Sequence, residues 1–150
     1  DRIVTSPLAR TRQTASAVAA ATGAAVTVDE RFVELDYGEW DQRPLADVAA
    51  DEWAAWRADV AFAPPGGESL AELGRRVRSG LDDLAEEARD RTIVVVTHVS
   101  PIKAAVAWAV GGTDEMAWRM FVAPASITRI ATSVGAPSLH TFNDCSHLTD

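Results

Sequence analysis

Ile93-Val94-Val95-Val96-Thr97-His98-Val99-Ser100-Pro101-Ile102-Lys103 repeats in outline an earlier stretch, Arg2-Ile3-Val4-Thr5-Ser6-Pro7-Leu8-Ala9-Arg10. In each, a short apolar run reaches a polar residue, then Ser-Pro, then residues at helical spacing. Ser is a favoured N-cap, and Pro at the first helical position loses no hydrogen bond, because that N–H has no acceptor within the helix. The pattern predicts two strand-to-helix turns with Ser6 and Ser100 as caps. If both strands lie in one parallel sheet, both helix N-termini open at its carboxyl edge, where unpaired N–H groups and the helix dipole favour an anion. One turn carries Arg10 and the other His98, a pairing that points to phosphate chemistry at a histidine.

Working outward, Ala15, Val18 and Ala19 mark the apolar side of a helix from about Pro7 to Thr22, closed by Gly23. Val26 and Val28 read as a short second strand. The stretch from Asp29 to Arg43 is irregular and brings aromatic and acidic residues together on a loop, where function often lies. Pro44 can start a helix with Leu45, Val48, Ala49, Trp53 and Trp56 on its apolar side, and Pro64-Pro65-Gly66-Gly67 forbids regular structure. Ser69 is the expected N-cap of a long helix carrying Leu70, Leu73, Val77, Leu81 and Leu84 on one face, packed on the sheet. Thr92 to Thr97 lacks alternation, as a parallel strand covered on both faces does. A helix over Ile102 to Val110 follows, stopped by Gly111-Gly112, then a short capped helix at Thr113-Asp114-Glu115. Ala125 to Ser133 and Ser138 to Asn143, joined by a turn at Val134-Gly135, read as a hairpin at the sheet edge.

The 150 residues are 47% hydrophobic and 24% charged, which suits one globular domain. A net charge of −8 without a basic stripe argues against nucleic acid or an anionic membrane as partner and favours a small phosphorylated substrate. Cys145 is the only cysteine, so no intrachain disulfide forms and a cytoplasmic location is the default. The longest apolar stretch, near Ala104 to Val110, is far short of the ~20 residues of a membrane span. The chain starts at Asp1 with an apolar strand almost at once, which reads as a sequence cut at its start.

His98 should sit at the carboxyl end of a central strand, a usual place for a site, although a lone His there also fits a structural role. Arg10 can grip an oxyanion with two parallel hydrogen bonds or be a solvated helix charge. Glu34, flanked by Val33 and Leu35, can serve as a general acid, with Asp36, Glu39 and Asp41 as competitors that composition does not separate. Gly66, Gly67 and Glu68 shape either a substrate-facing loop or a simple helix entry.

In this order the segments resemble the histidine phosphatase superfamily, the phosphoglycerate-mutase-like fold, over nearly the whole chain. Thr5-Ser6-Pro7-Leu8-Ala9-Arg10-Thr11-Arg12-Gln13-Thr14-Ala15 resembles the segment that supplies a phosphate-binding arginine, here Arg10. Phe32-Val33-Glu34-Leu35-Asp36-Tyr37-Gly38-Glu39-Trp40-Asp41 resembles the acid loop, with Glu34 at the proton donor's position. Pro65-Gly66-Gly67-Glu68-Ser69 resembles the loop before the long helix, and Val95-Val96-Thr97-His98 the strand ending in the second site histidine. Thr97 to Lys103 and the tail Asn143-Asp144-Cys145-Ser146-His147-Leu148 are further similar to the acid-phosphatase domain that actinobacterial proteins carry behind a ribonuclease H domain.

The resemblance implies an α/β, three-layer α/β/α sandwich with a mostly parallel sheet and an antiparallel edge strand. It implies Glu34 and His98 as catalytic residues, Arg10, His98 and Val99 around the phosphate, and Ser6, Tyr37, Trp40, Gly67 and Glu68 on substrate-facing loops. No metal and no cofactor are implied, since cationic side chains do the neutralising. A homodimer and a fused upstream domain are left open.

Three departures stand out. Val99 replaces the glycine that most members have after the histidine, and Gln42 replaces the glycine that many have after the acidic residue. The nucleophile's Arg-His-Gly motif has no counterpart, because none of His98, His140 and His147 follows Arg or precedes Gly. The family's first strand is central, so the expectation is that it exists upstream and carries the nucleophile of a phosphomonoesterase acting by double displacement. A non-catalytic phosphate-binding domain is the alternative. A mutase ranks below both, since Trp40 to Pro65 lacks the length that cofactor-dependent mutases carry, and a purely structural domain ranks last.

Overall fold

A computed structural model describes residues 1–133 and 135–148. Strand β1 (Arg2–Thr5) lies between β2 (Ala25–Val28) and β3 (Ile93–Val96), and both pairings are parallel, with Thr5 opposite Val28 on one side and Val96 on the other. Neighbouring residues of a strand point to opposite faces, and Ile3 and Val4 are each only 1% exposed, so the central strand β1 is covered on both sides. Helix α1 (Ala9–Thr22) turns Thr11 and Ala15 inward and ends at Gly23, whose left-handed φ of 71° lets its N–H reach the Ala19 carbonyl. Helix α2 (Ala50–Ala58) is short, because Pro44 starts only a 3-10 turn over Leu45–Asp47; the side chain of Leu45 lies outside the described residues.

Helix α3 (Leu70–Glu87) starts with a full capping box: Ser69 Oγ accepts from the Glu72 N–H and the Glu72 carboxylate accepts from the Ser69 N–H. Its inward residues Leu73, Val77 and Leu84 join Val4, Phe32, Trp40, Trp56 and Ala104 in one core. Helix α4 (Val99–Ala109) begins three residues earlier than its apolar spacing suggests, with His98 as N-cap, and a 3-10 helix over Asp114–Arg119 follows. The two Ser-Pro pairs are therefore not equivalent. Ser6 precedes the Leu8 N-cap of α1, whereas Ser100 and Pro101 lie inside the first turn of α4, where a missing N–H costs no helical bond.

Strands β4 (Ile127–Ala131) and β5 (Ser138–Asp144) pair antiparallel as a separate two-stranded sheet, not as the edge of the parallel one. The expected turn residue Val134 lies outside the described residues. Among the described residues, β3 is bonded on one edge only, to β1, and β4 on one edge only, to β5. Between them runs a cleft of about 170 Å³, lined by Leu81, Leu84, Ile93, Val95, Ile102 and Ile130. This corrects the expectation that β3 is covered on both faces, for Val94 is 38% exposed.

Candidate active site

The site is built where β1 and β3 end side by side. Ser6 donates its N–H to the Val96 carbonyl at 3.1 Å, which fixes the residue after β1 against the end of β3, two residues before His98. Ser6 is wholly buried, and its Oγ lies 2.7 Å from His98 Nε2 while accepting the Leu8 N–H at 3.3 Å. Arg10, in the first turn of α1, donates from Nε to His98 Nδ1 at 3.2 Å. A guanidinium only donates, so Nδ1 is the bare acceptor and Nε2 carries the proton toward Ser6. Burial holds His98 below the ordinary imidazole range, the Arg10 charge pushes the same way, and Glu34 opposes them. A neutral imidazole between a cation and a hydroxyl is the result. Val99, the first residue of α4, is 40% exposed beside it.

Glu34 arrives from the segment after β2. Asp29 donates its N–H to the Thr5 carbonyl, a 3-10 turn over Glu30–Phe32 follows, and Thr97 Oγ1 bonds the Phe32 carbonyl at 2.6 Å. The half-buried Glu34 accepts at Oε1 the N–H of Leu35 at 2.8 Å and that of Ser100 at 3.2 Å, which ties the acid loop to the first turn of α4. Tyr37 packs edge-on against Trp56, and burial followed by the Glu34 charge raises its phenol above the usual range.

The remaining residues of the expected substrate loops have structural partners. Trp40 is buried between Trp56 and Phe62, so its ring backs the loop rather than lining its mouth. A Cβ on Gly67 would stand 2.5 Å from the Asp36 carbonyl, and one on Gly38 would run into the Pro65 carbonyl, so only glycine lets the two loops lie backbone on backbone. Hydrogen bonds from Glu39 N–H to Pro65 and from Glu68 N–H to Asp36 fasten them. The Glu68 carboxylate is gripped by Arg76 through contacts of 2.7 and 2.8 Å.

Arg76 is the residue that the sequence reading missed. Besides Glu68 it donates to the carbonyls of Arg31, Val33 and Glu34 at 2.7, 2.9 and 3.2 Å, so one side chain holds the acid loop from below. Its position between Leu73 and Val77 on the inward side of α3 is the one local signal for it. The fold also explains a departure in sequence. Gln42 adopts φ 61°, the left-handed conformation that favours glycine, so the position is one where the backbone asks for glycine and the chain supplies another residue.

Compared with known proteins, residues 1–145 match the family model of the Histidine phosphatase superfamily (branch 1). A bifunctional protein of Mycobacterium tuberculosis is 34% identical over 151 residues, covering 97% of this chain and 41% of that protein. Phosphoserine phosphatase 1 of Hydrogenobacter thermophilus is 34% identical over 110 residues, 69% of this chain and 51% of that one. The chain thus spans about two fifths of the length of the mycobacterial relatives it matches. Among solved structures, a mycobacterial glucosyl-3-phosphoglycerate phosphatase holding inorganic phosphate superposes with a TM-score of 0.84 at 28% identity, covering 99% of this chain and 79% of that one. A mutant phosphoserine phosphatase of Entamoeba histolytica holding phosphoserine gives a TM-score of 0.86 at 25% identity, with 99% and 76% covered.

Proposed function

The chain belongs to the histidine phosphatase superfamily, and on that premise we propose that it forms most of a phosphomonoester hydrolase working through a phosphohistidine. The observation that carries this reading is the contact of Arg10 with a neutral His98 at the sheet's carboxyl edge, with Glu34 bonded to the adjoining helix turn. Arg10, His98 and the free N–H groups at the starts of α1 and α4 hold the phosphoryl oxygens, with Val99 among them. The nucleophile is a histidine on an extended segment of the same protein that precedes Asp1 and lies in the cleft between β3 and β4. Two facing strand edges with an apolar lining are suited to such a strand, and running parallel to β3 it emerges beside His98.

Chemically, a ring nitrogen of that histidine attacks phosphorus, the P–O bond to the alcohol breaks, and Glu34 gives its proton to the departing oxygen. Glu34 then takes a proton from water as the water oxygen attacks the phosphohistidine, and inorganic phosphate leaves with the P–N bond broken. Selectivity rests on the loops around Tyr37, Gly67 and Glu68. The test is the full-length protein with 4-nitrophenyl phosphate, together with acid trapping of radiolabelled phosphoenzyme. Turnover with a trapped acid-labile phosphoenzyme is expected. Phosphate binding without turnover would replace this reading by that of a phosphate-binding domain.

A further inference from the structure

Ser6 is wholly buried, and each of its polar atoms is tied down. Its N–H donates to the Val96 carbonyl at 3.1 Å, and the hydroxyls of Thr5 and Thr11 each stand 3.1 Å from its own carbonyl. Its Oγ accepts the Leu8 N–H at 3.3 Å with one lone pair, which leaves the other for His98 Nε2 at 2.7 Å. This is more than the entry to α1 requires, since the N-cap of that helix is Leu8 and Ser6 stands outside it. Being buried, Ser6 has no surface to offer a substrate, so its contribution to the site passes through the histidine.

The two contacts of the His98 ring differ in what a ligand does to them. Arg10 is exposed and meets Nδ1 at 3.2 Å, so a phosphoryl group gripped by Arg10 takes the place of that contact. The charges that face the ring are Arg10 from α1, Glu34 from the acid loop and Arg76 from α3, and among the described residues only Ser6 accepts from Nε2. We propose that Ser6 is a positioning residue: it holds the His98 ring once phosphate is bound, and by keeping a proton on Nε2 it reserves Nδ1 for a phosphoryl oxygen. With a proton taken from solvent on Nδ1, the ring is a cation that donates to the oxygen on one side and to Ser6 on the other. Without the hydroxyl the buried Nε2–H loses its acceptor, at greatest cost to the cation, and the ring is free to turn over when Arg10 moves to the ligand. The inference rests on the phosphatase reading, since it takes His98 as the residue that meets the phosphoryl group.

The test is heteronuclear NMR of the histidine ring nitrogens in the full-length protein, titrated with inorganic phosphate, with His98 assigned by the signals that His98→Gln removes. The wild type should carry a proton on Nε2 alone before phosphate and on both nitrogens after it. Ser6→Ala should leave the ring only partly protonated with phosphate bound and weaken phosphate binding about tenfold, the scale of one hydrogen bond to a charged group. Ser6→Cys fills the same space with a weaker acceptor and should lie between the two. In the His98→Gln background, Ser6→Ala should change the affinity by less than about twofold, because its effect passes through the ring. A Ser6→Ala protein with wild-type protonation and affinity overturns the assignment, and so does an equal loss in both backgrounds, which would place the effect at the start of α1. Where the wild type hydrolyses 4-nitrophenyl phosphate, either result overturns Ser6 alone. A wild type that neither hydrolyses it nor binds phosphate overturns the phosphatase reading as well.

Discussion

Arg10 Nε stands 3.2 Å from His98 Nδ1, and this contact between residues 88 positions apart fixes both the tautomer and the charge of the histidine. Protonation of Nδ1 would turn an acceptor into a donor facing a guanidinium. His98 is therefore neutral here, and a phosphate dianion arriving between the two is what would favour its protonation.

His98→Ala in the full-length protein should lower kcat/KM by at least about 10²-fold while leaving the far-ultraviolet circular dichroism unchanged. The imidazole should also be visible in the pH dependence of stability. Its folded pKa lies below the unfolded value of 6.5, so the folded state binds fewer protons, and its contribution is complete above pH 6.5 and lost as pH falls below that value. Urea titrations of wild type and His98→Gln between pH 8 and pH 5 should show the wild type losing more stability across this window. Parallel curves would remove the neutral-histidine assignment.

Glu34→Gln should slow hydrolysis of an alkyl phosphate far more than that of 4-nitrophenyl phosphate. Only the alkoxide needs a proton in the transition state, and a positioned acid contributes on the order of 10²–10⁴. Equal losses on the two substrates would assign the proton to another group.

Arg76→Met should destabilise the protein by about 2–4 kcal/mol, measured by chemical denaturation, because it strands three carbonyls and the Glu68 carboxylate. Glu68→Gln keeps one acceptor and should cost roughly 1 kcal/mol. Both should lower kcat through a loosened acid loop. A change in KM with kcat intact would instead place Glu68 at the substrate.

Gln42→Gly should leave stability unchanged or raise it by up to about 1 kcal/mol. The left-handed backbone costs a side-chain-bearing residue roughly 1–2 kcal/mol, and the greater freedom of unfolded glycine returns part of that. Gln42→Val should lower Tm, since a β-branched residue tolerates this conformation worst.

What the sequence determined by itself is everything settled within a turn or two of chain. It determined the strand-to-helix order of the α/β fold, the Gly23 cap, the Ser69 cap and the apolar face of α3, while the proposed site at Arg10, Glu34 and His98 came from the family resemblance. Caps and periodicity act between residues four or fewer apart, and local propensity registers them. What only the tertiary structure decided depends on where the chain returns. Ser6 faces His98 across 92 residues and Arg76 reaches the Glu34 carbonyl across 42, contacts that no local pattern encodes. The early start of α4 follows from the Ser100 N–H finding Glu34 as an acceptor from another segment. Trp40 is buried because Trp56 and Phe62 close over it. The separation of β3 from β4 was equally beyond local reading, because pairing of strand edges depends on what lies between them rather than on either strand's own residues.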